Sequence, residues 1–394
     1  MAVDNRKCFA TAEALKRFEP ETLCEFLGKY SNYAVSRLGS LPDAPTEMNL
    51  PYDKIAGMFI QTGDDTPGDF LEKMVLIIEM AQPGGHAKLM DEARRQKVPI
   101  ESFRGKTLFD TAMKAALLPG DLLDRAHARV VLFRKRRFAY YPPALDVVLP
   151  YQAPSEAALA TLGDDLTFWF HGTQTKIKAK VLLFDFPDEA WFVVRRGGQP
   201  IRLAVFDDDG EAVSRFMVPE AYDGIVYNKV HGELRIISKL KSDLQDGYLS
   251  RFGELLTGDS HFFGHRTMFF PERVITLRRD DLAWAGNTTI GEMRLANVRY
   301  QLPGGETICR QSPKCLLREN EDGHLIPPRA EKVLYAEFKF KFLSDKRERS
   351  VRVDAGCEAT YMRDSDASLL ERFLRDKGLM RAAKVQKASD EKAA

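Results

Sequence analysis

From about residue 11 to residue 141 apolar side chains recur every three or four positions, the spacing of helices with one buried face. In PETLCEFLGKY, Leu23, Phe26, Leu27 and Tyr30 stand at i, i+3, i+4 and i+7, and Pro20 suits a first helical turn. PGDFLEKMVLIIEMAQ repeats the device with Phe70, Leu71, Met74, Ile77 and Ile78, and Pro83-Gly84-Gly85 is expected to end it. HAKLMDEARRQ, KTLFDTAMKAALL and PGDLLDRAHARVVLF predict three more helices, and SLPDAPTEMNLPYD predicts a loop. After Pro142-Pro143 the period shifts to two. TFWFHG, KAKVLLFDF, AWFVVRR, QPIRLAVF, AVSRFMV and GIVYNKV predict strands, and RRGGQP and FDDDGE predict hairpin turns. KLKSDLQDGYLSRFGELLTG predicts a helix with Leu244, Tyr248, Leu249, Phe252 and Leu255 on one face, before MFFPERVITL and NVRYQLPGGETICRQ return to strand character.

The last segment predicts strand, turn, strand, helix. YAEFKFKF alternates three phenylalanines with polar residues, as a half-buried strand does. DASLLERFLRDKG predicts a helix with Leu369, Leu370, Phe373 and Leu374 inward, a capping box from Ser368 and Glu371, and Gly378 at the C-cap. A chain of 394 residues exceeds one ordinary core. The fold expected is therefore α+β and multidomain: a helical domain over 1–145, a β-rich central domain over 146–330, a winged-helix-like β-hairpin and helix over 331–380, and a disordered tail over 381–394. No internal repeat is evident, which argues against a solenoid or propeller.

Composition narrows the function classes. Hydrophobic residues make up 44% and charged residues 29%, with 58 basic and 57 acidic side chains and a net charge of +1. Any affinity for nucleic acid or membrane must then come from local patches. Cysteines at 8, 24, 309, 315 and 357 form no CxxC pair, which suits reduced thiols. The charged start of the chain has no apolar core of a secretory signal. MVLIIEM, interrupted by Glu79, is far short of the roughly 20 residues that span a bilayer. The expectation is a soluble, cytoplasmic protein without a membrane partner.

Two basic patches stand out. FRKRRFAYYPP groups Arg134, Lys135, Arg136 and Arg137 with Phe138, Tyr140 and Tyr141; guanidinium groups pair phosphates and rings stack on bases. The same pattern also suits a helix C-terminus docked through its aromatics. The C-terminal hairpin carries Lys346, Arg347 and Arg349 near its tip and Arg352 on the return strand, where they could meet a phosphate backbone or simply protect an edge.

Glu337-Phe338-Lys339 spells the acid-x-lysine of a Mg²⁺-dependent nuclease, in which two carboxylates hold the metal and the lysine acts on the attacking water. The upstream acid, Asp322, sits in a turn-like stretch, so the match lacks its partner strand. Asp207 to Asp209 read as a hairpin turn. His261, His265, Cys309 and Cys315 offer an alternative zinc set with poor spacing. No H-E-x-x-H, G-x-S-x-G or phosphate-binding G-x-x-x-x-G-K-[ST] is present.

YNKVHGELRI (Tyr227 to Ile236) and RFGELLTGDSHFF (Arg251 to Phe263) resemble uncharacterised bacterial proteins of the kind found beside phage-defence genes. The resemblance covers about the central third of the chain and implies work with the products of neighbouring genes. The function expected is a non-enzymatic, DNA- or RNA-binding or adaptor subunit of a bacterial complex, without a cofactor. The alternatives are the Mg²⁺-dependent nuclease and a protein-interaction scaffold.

Overall fold

The structure is a computed structural model that describes residues 11–60, 65–133, 136–145, 147–171, 178–206, 212–238, 240, 242–283, 289–317, 325–327, 330–343, 348–362 and 367–382. In chain order the elements are α1 (Ala12–Leu15), α2 (Pro20–Gly28), α3 (Ser31–Leu38), α4 (Tyr52–Ile60), α5 (Gly68–Met80), α6 (Pro83–Arg95), α7 (Leu108–Leu117), α8 (Leu122–Phe133), β1 (Arg137–Tyr141), α9 (Glu156–His171), β2 (Lys180–Asp185), β3 (Glu189–Gly197), β4 (Ile201–Phe206), β5 (Ala212–Met217), β6 (Glu220–Asn228), β7 (Glu233–Ile237), α10 (Ser242–Thr257), β8 (Ile290–Gln301), β9 (Thr307–Gln311), β10 (Lys332–Phe342), β11 (Glu348–Asp354), β12 (Glu358–Thr360) and α11 (Ala367–Asp376). The α+β class holds. Among the described residues no helix is long and apolar enough to cross a membrane.

The chain divides into two units, Met1–Val131 with Arg202–Phe216, and Leu132–Ile201 with Met217–Ala394. The first is built on helices whose apolar stripes meet around Phe70. Its ring stacks on Phe59 at 4.8 Å and meets Phe26, Tyr30 and Tyr33 within 5.8 Å. Met74, Ile77, Leu89 and Met113 complete a buried cluster. Thr107 starts α7 with a full capping box: its hydroxyl accepts from the Asp110 amide while Asp110 accepts from the Thr107 amide at 3.0 Å. Pro83-Gly84-Gly85 does not form a loop after α5. Pro83 is the first residue of α6, where its missing N–H costs nothing, and Gly85 is the close-packed position of that turn.

The second unit is organised by a ten-stranded sheet in the order β2-β3-β6-β7-β1-β12-β11-β10-β8-β9, with every pairing antiparallel. On one side of the first five strands, Ala139, Tyr141, Phe192, Val194, Ile225 and Ile236 lie under Leu162 and Leu166 of α9 and Tyr248, Leu249 and Phe252 of α10. On the opposite side, α11 sets Phe373 against Phe338 and Phe340, with ring centroids 6.3 and 5.3 Å apart. Full burial of each such ring is worth roughly 1.5–3 kcal/mol, enough to explain why YAEFKFKF is a strand without invoking chemistry.

Several expectations change. TFWFHG is no strand: Thr167 to His171 are the last turn of α9, and the Thr167 hydroxyl donates to the Gly163 carbonyl at 2.7 Å. Within MFFPERVITL, Pro271 opens a 3₁₀ turn, Pro271–Ile275. The helical period does not reach Tyr141, because α8 ends at Phe133 and Arg137 to Tyr141 form β1 inside the sheet. The hairpin and helix expected over 331–380 exist as β10, β11 and α11, but the sheet runs straight through the boundary expected at 330. β10 pairs with β8 over almost its whole length, and β11 continues through β12 to β1. The expected tail lies outside the described residues from 383 onward.

Candidate nucleic-acid interface

Strand register assembles the site. Arg137 on β1 faces Thr360 on β12, Thr360 faces Arg352 on β11, Arg352 faces Glu337 on β10, Glu337 faces Asn297 on β8, and Asn297 faces Gln311 on β9. This row is polar across six strands. The row beside it, Phe138, Ala359, Val353, Ala336 and Val298, is fully buried or nearly so and points to the other side of the sheet. The polar row lies on the side that α9 and α10 cover over the other half of the sheet. Lys339 and Lys341 follow on β10, opposite Ser350 and Glu348, and Arg294 follows on β8 opposite Lys339.

The cations are held by carboxylates. Arg137 is two-thirds exposed and donates to Glu358, with Nε 3.2 Å from Oε2, and this hydrogen bond raises its pKa further. Arg294 makes a forked pair with Glu348, at 2.8 and 3.3 Å, and donates to the Ser312 carbonyl at 3.1 Å. Arg352 donates through Nε to Asp354 at 3.0 Å and lies 3.9 Å from the centroid of the Tyr335 ring. Two strand spacings of about 4.8 Å separate Arg137 from Arg352, so the two come within roughly 10 Å between backbones although they are distant in sequence.

Glu337 and Lys339 share this side, as the acid-x-lysine reading requires, and their charged atoms are 3.2 Å apart. The carboxylate is well provided for. Partial burial pushes its pKa up, but hydrogen bonds from Ser350, Lys339 and Asn297 outweigh that and hold it below the usual carboxylate range. Asn297 also accepts from the Cys309 thiol at 3.2 Å, and Cys309 lies 3.5 Å from the Tyr335 hydroxyl. The β8–β10 register shifts between Glu337 and Phe338, leaving Ala296 as the extra residue. Its small side chain floors a shallow cavity of about 530 Å³ walled by Arg294, Asn297, Gln311, Ser312, Glu337 and Lys339. Among the described residues no group of three or more His, Cys, Asp or Glu is placed to hold a metal. Asp322, the acid a nuclease would need, lies outside the described residues.

Other expected site residues separate. Tyr140 is buried, with its hydroxyl shared with Tyr361, and it offers no face to a base. Arg136 is exposed next to Arg137. Arg349 belongs to the other side of β11: it shares the parity of Val351 and Val353, and its guanidinium sits 4.9 Å from the Phe342 ring. Arg134, Lys135, Lys346 and Arg347 lie outside the described residues. The zinc alternative is not assembled. His265 is 2.6 Å from Asp246 and packs on Tyr141 of β1, whereas Cys309 is on β9, five strand spacings or roughly 24 Å away.

A second polar cluster was not foreseen. Arg235, fully buried, pairs with Glu189, Glu233 and Glu371 at 2.5, 2.6 and 2.6 Å, and Arg375 reaches Glu233 at 2.8 Å. Tyr361 donates to Glu371. The cluster fastens α11 to β3, β7 and Tyr361 just after β12; Arg235, Glu233 and Glu371 are buried and Glu189 is about a quarter exposed, an arrangement that holds elements together rather than presenting a site. No protein-family model matches the chain, and no curated protein matches it.

Proposed function

We propose that the protein binds the phosphate backbone of a nucleic acid along the Arg137–Arg352 side of its sheet, as a non-enzymatic subunit or adaptor of a bacterial complex. The observation that carries this reading is the register that sets Arg137 and Arg352, from two separate basic stretches, in one row with Lys339, Lys341 and Arg294 nearby. Their ion pairs with Glu358 and Asp354 are exposed enough to be worth about 1 kcal/mol or less each, so phosphate oxygens can replace the carboxylates at little cost. Counterions released from the nucleic acid then favour the exchange. The resemblance to proteins beside phage-defence genes supports placing this activity within a larger assembly.

Titration of labelled 20-nucleotide single strands and duplexes at about 50 to 200 mM salt tests the proposal. Affinity should fall steeply with salt, and Arg137→Ala should lower the slope of log affinity against log salt by about one. No binding at low salt, or an unchanged slope in Arg137→Ala and Arg352→Ala alike, would overturn it.

A second reading, a protein-interaction surface, is favoured by the acids that alternate with these cations: Glu358, Asp354, Glu337 and Glu348 interleave with them and suit a partner of mixed charge. Retention of a co-purified protein but no nucleic acid would select it. The nuclease alternative asks Glu337 to exchange its hydrogen bonds for Mg²⁺; cleavage of either oligonucleotide with Mg²⁺ or Mn²⁺ that is lost in Glu337→Gln would establish it.

A further inference from the structure

We infer that Arg352, lying on Tyr335, is a stacking platform for an unpaired base, which makes the surface selective for single strands; this rests on the nucleic-acid reading above. The guanidinium carbon lies over the ring, 3.9 Å from its centroid, a separation that suits a guanidinium stacked on the face of Tyr335. Asp354 fixes it from the side, through Nε at 3.0 Å and through Nη2. The Tyr335 ring is itself locked, its hydroxyl 3.5 Å from Cys309 across the sheet. Stacked so, one face of the Arg352 guanidinium is covered by the ring, while its side chain is still 43% exposed. A guanidinium held flat in this way can stack on the π-face of any base, as arginine planes do in single-strand recognition. A base pair inside a duplex keeps its faces covered by its neighbours and cannot use such a platform.

The surroundings suit the edge of the same base. Arg352 stands directly opposite Glu337, one strand from the cavity floored by Ala296. Gln311, Lys339 and Glu337 at that cavity present an amide, an ammonium and a carboxylate, which supply both donors and acceptors to the polar edge of a base. Arg137, two strands to the other side, is placed for the backbone rather than the base.

Arg352→Lys separates the two roles, because lysine keeps the charge and loses the plane. The test compares a 20-nucleotide oligothymidylate with a duplex of the same length, using wild type, Arg352→Lys and Arg137→Ala, each checked for an unchanged melting temperature. Wild type should prefer the single strand. Arg352→Lys should lose roughly tenfold or more of that affinity with its salt slope unchanged, and its duplex binding should not move. Arg137→Ala should instead lower both affinities and the slope. Wild-type single-strand affinity in Arg352→Lys, or equal binding of strand and duplex by wild type, would overturn the platform and leave the backbone reading standing. Failure of wild type to bind either oligonucleotide would remove both.

Discussion

Glu371 illustrates how much one residue's meaning depends on what the fold brings to it. Three positions after Ser368 in DASLLERFL it reads as the return half of a capping box, yet α11 already begins at Ala367, and Glu371 is turned inward to accept from Tyr361 and pair with Arg235. Nothing local announces this, because Arg235 arrives from β7 and Tyr361 from just beyond β12. Removing one partner of a buried pair strands the other charge, so Glu371→Ala should cost on the order of 3–5 kcal/mol in urea unfolding. Glu233 in the same cluster gives the pH dependence. Burial pushes its pKa up, but Arg375 and Arg235 outweigh this and hold it low. A carboxylate with a depressed folded pKa adds stability that is fully present above its unfolded value, about 4.3, and is lost as pH falls through the folded value. Wild type should therefore lose stability below about pH 4, and Glu233→Gln, already weaker at pH 7, should show a shallower acid decline. The opposite sides of Arg349 and Arg352, by contrast, were legible in ERSVRVD itself: Val351 and Val353 claim the buried side, Arg349 shares their parity, and Arg352 does not.

Where elements were misread, the cause was a signal shared by two conformations. TFWFHG is rich in β-formers, but it continues the apolar spacing of Leu162 and Leu166, and that longer period wins to give the end of α9. Pro83-Gly84-Gly85 carries breaker residues, but at the first turn of a helix neither proline nor glycine breaks anything. The two glycines differ in a way only packing reveals. A methyl group on Gly84 would meet nothing within 4 Å, whereas one on Gly85 would sit 2.1 Å from the Glu79 carbonyl oxygen. Gly84→Ala should accordingly be neutral or stabilise by up to about 1 kcal/mol, and Gly85→Ala should destabilise, with thermal melts of the two variants moving in opposite directions. Gly378 ends α11 where RDKG places a C-cap glycine: its φ of +66° lies in the left-handed region, and the Leu379 amide returns to the Leu374 carbonyl at 2.8 Å.

Strand identity along the second half of the chain, MFFPERVITL apart, could be read from alternation, but strand order could not, since the pairings that build the sheet join residues such as Arg137 and Thr360 that are far apart in sequence. That gap produced the expectation of a self-contained module after residue 330, and it also hid the polar row. The two arrangements predict different behaviour on cutting the chain. An independent hairpin-and-helix module would fold alone and leave the remainder intact. In the observed sheet β10 lies between β11 and β8, so a chain ending at 330 loses the partners of Leu295, Val298 and Tyr300 on β8 and leaves an open edge on β1. Exposed, unpaired edges of this kind are templates for aggregation. Residues 331–394 alone should accordingly show no cooperative melt, and residues 1–330 should aggregate. Expressed together, the two pieces should recover soluble material, because the complementary strands can pair between chains. A folded, monomeric 331–394 fragment with dispersed amide resonances would restore the separate module. In that case the Arg137–Arg352 row would become a contact between modules and lose its standing as one continuous surface.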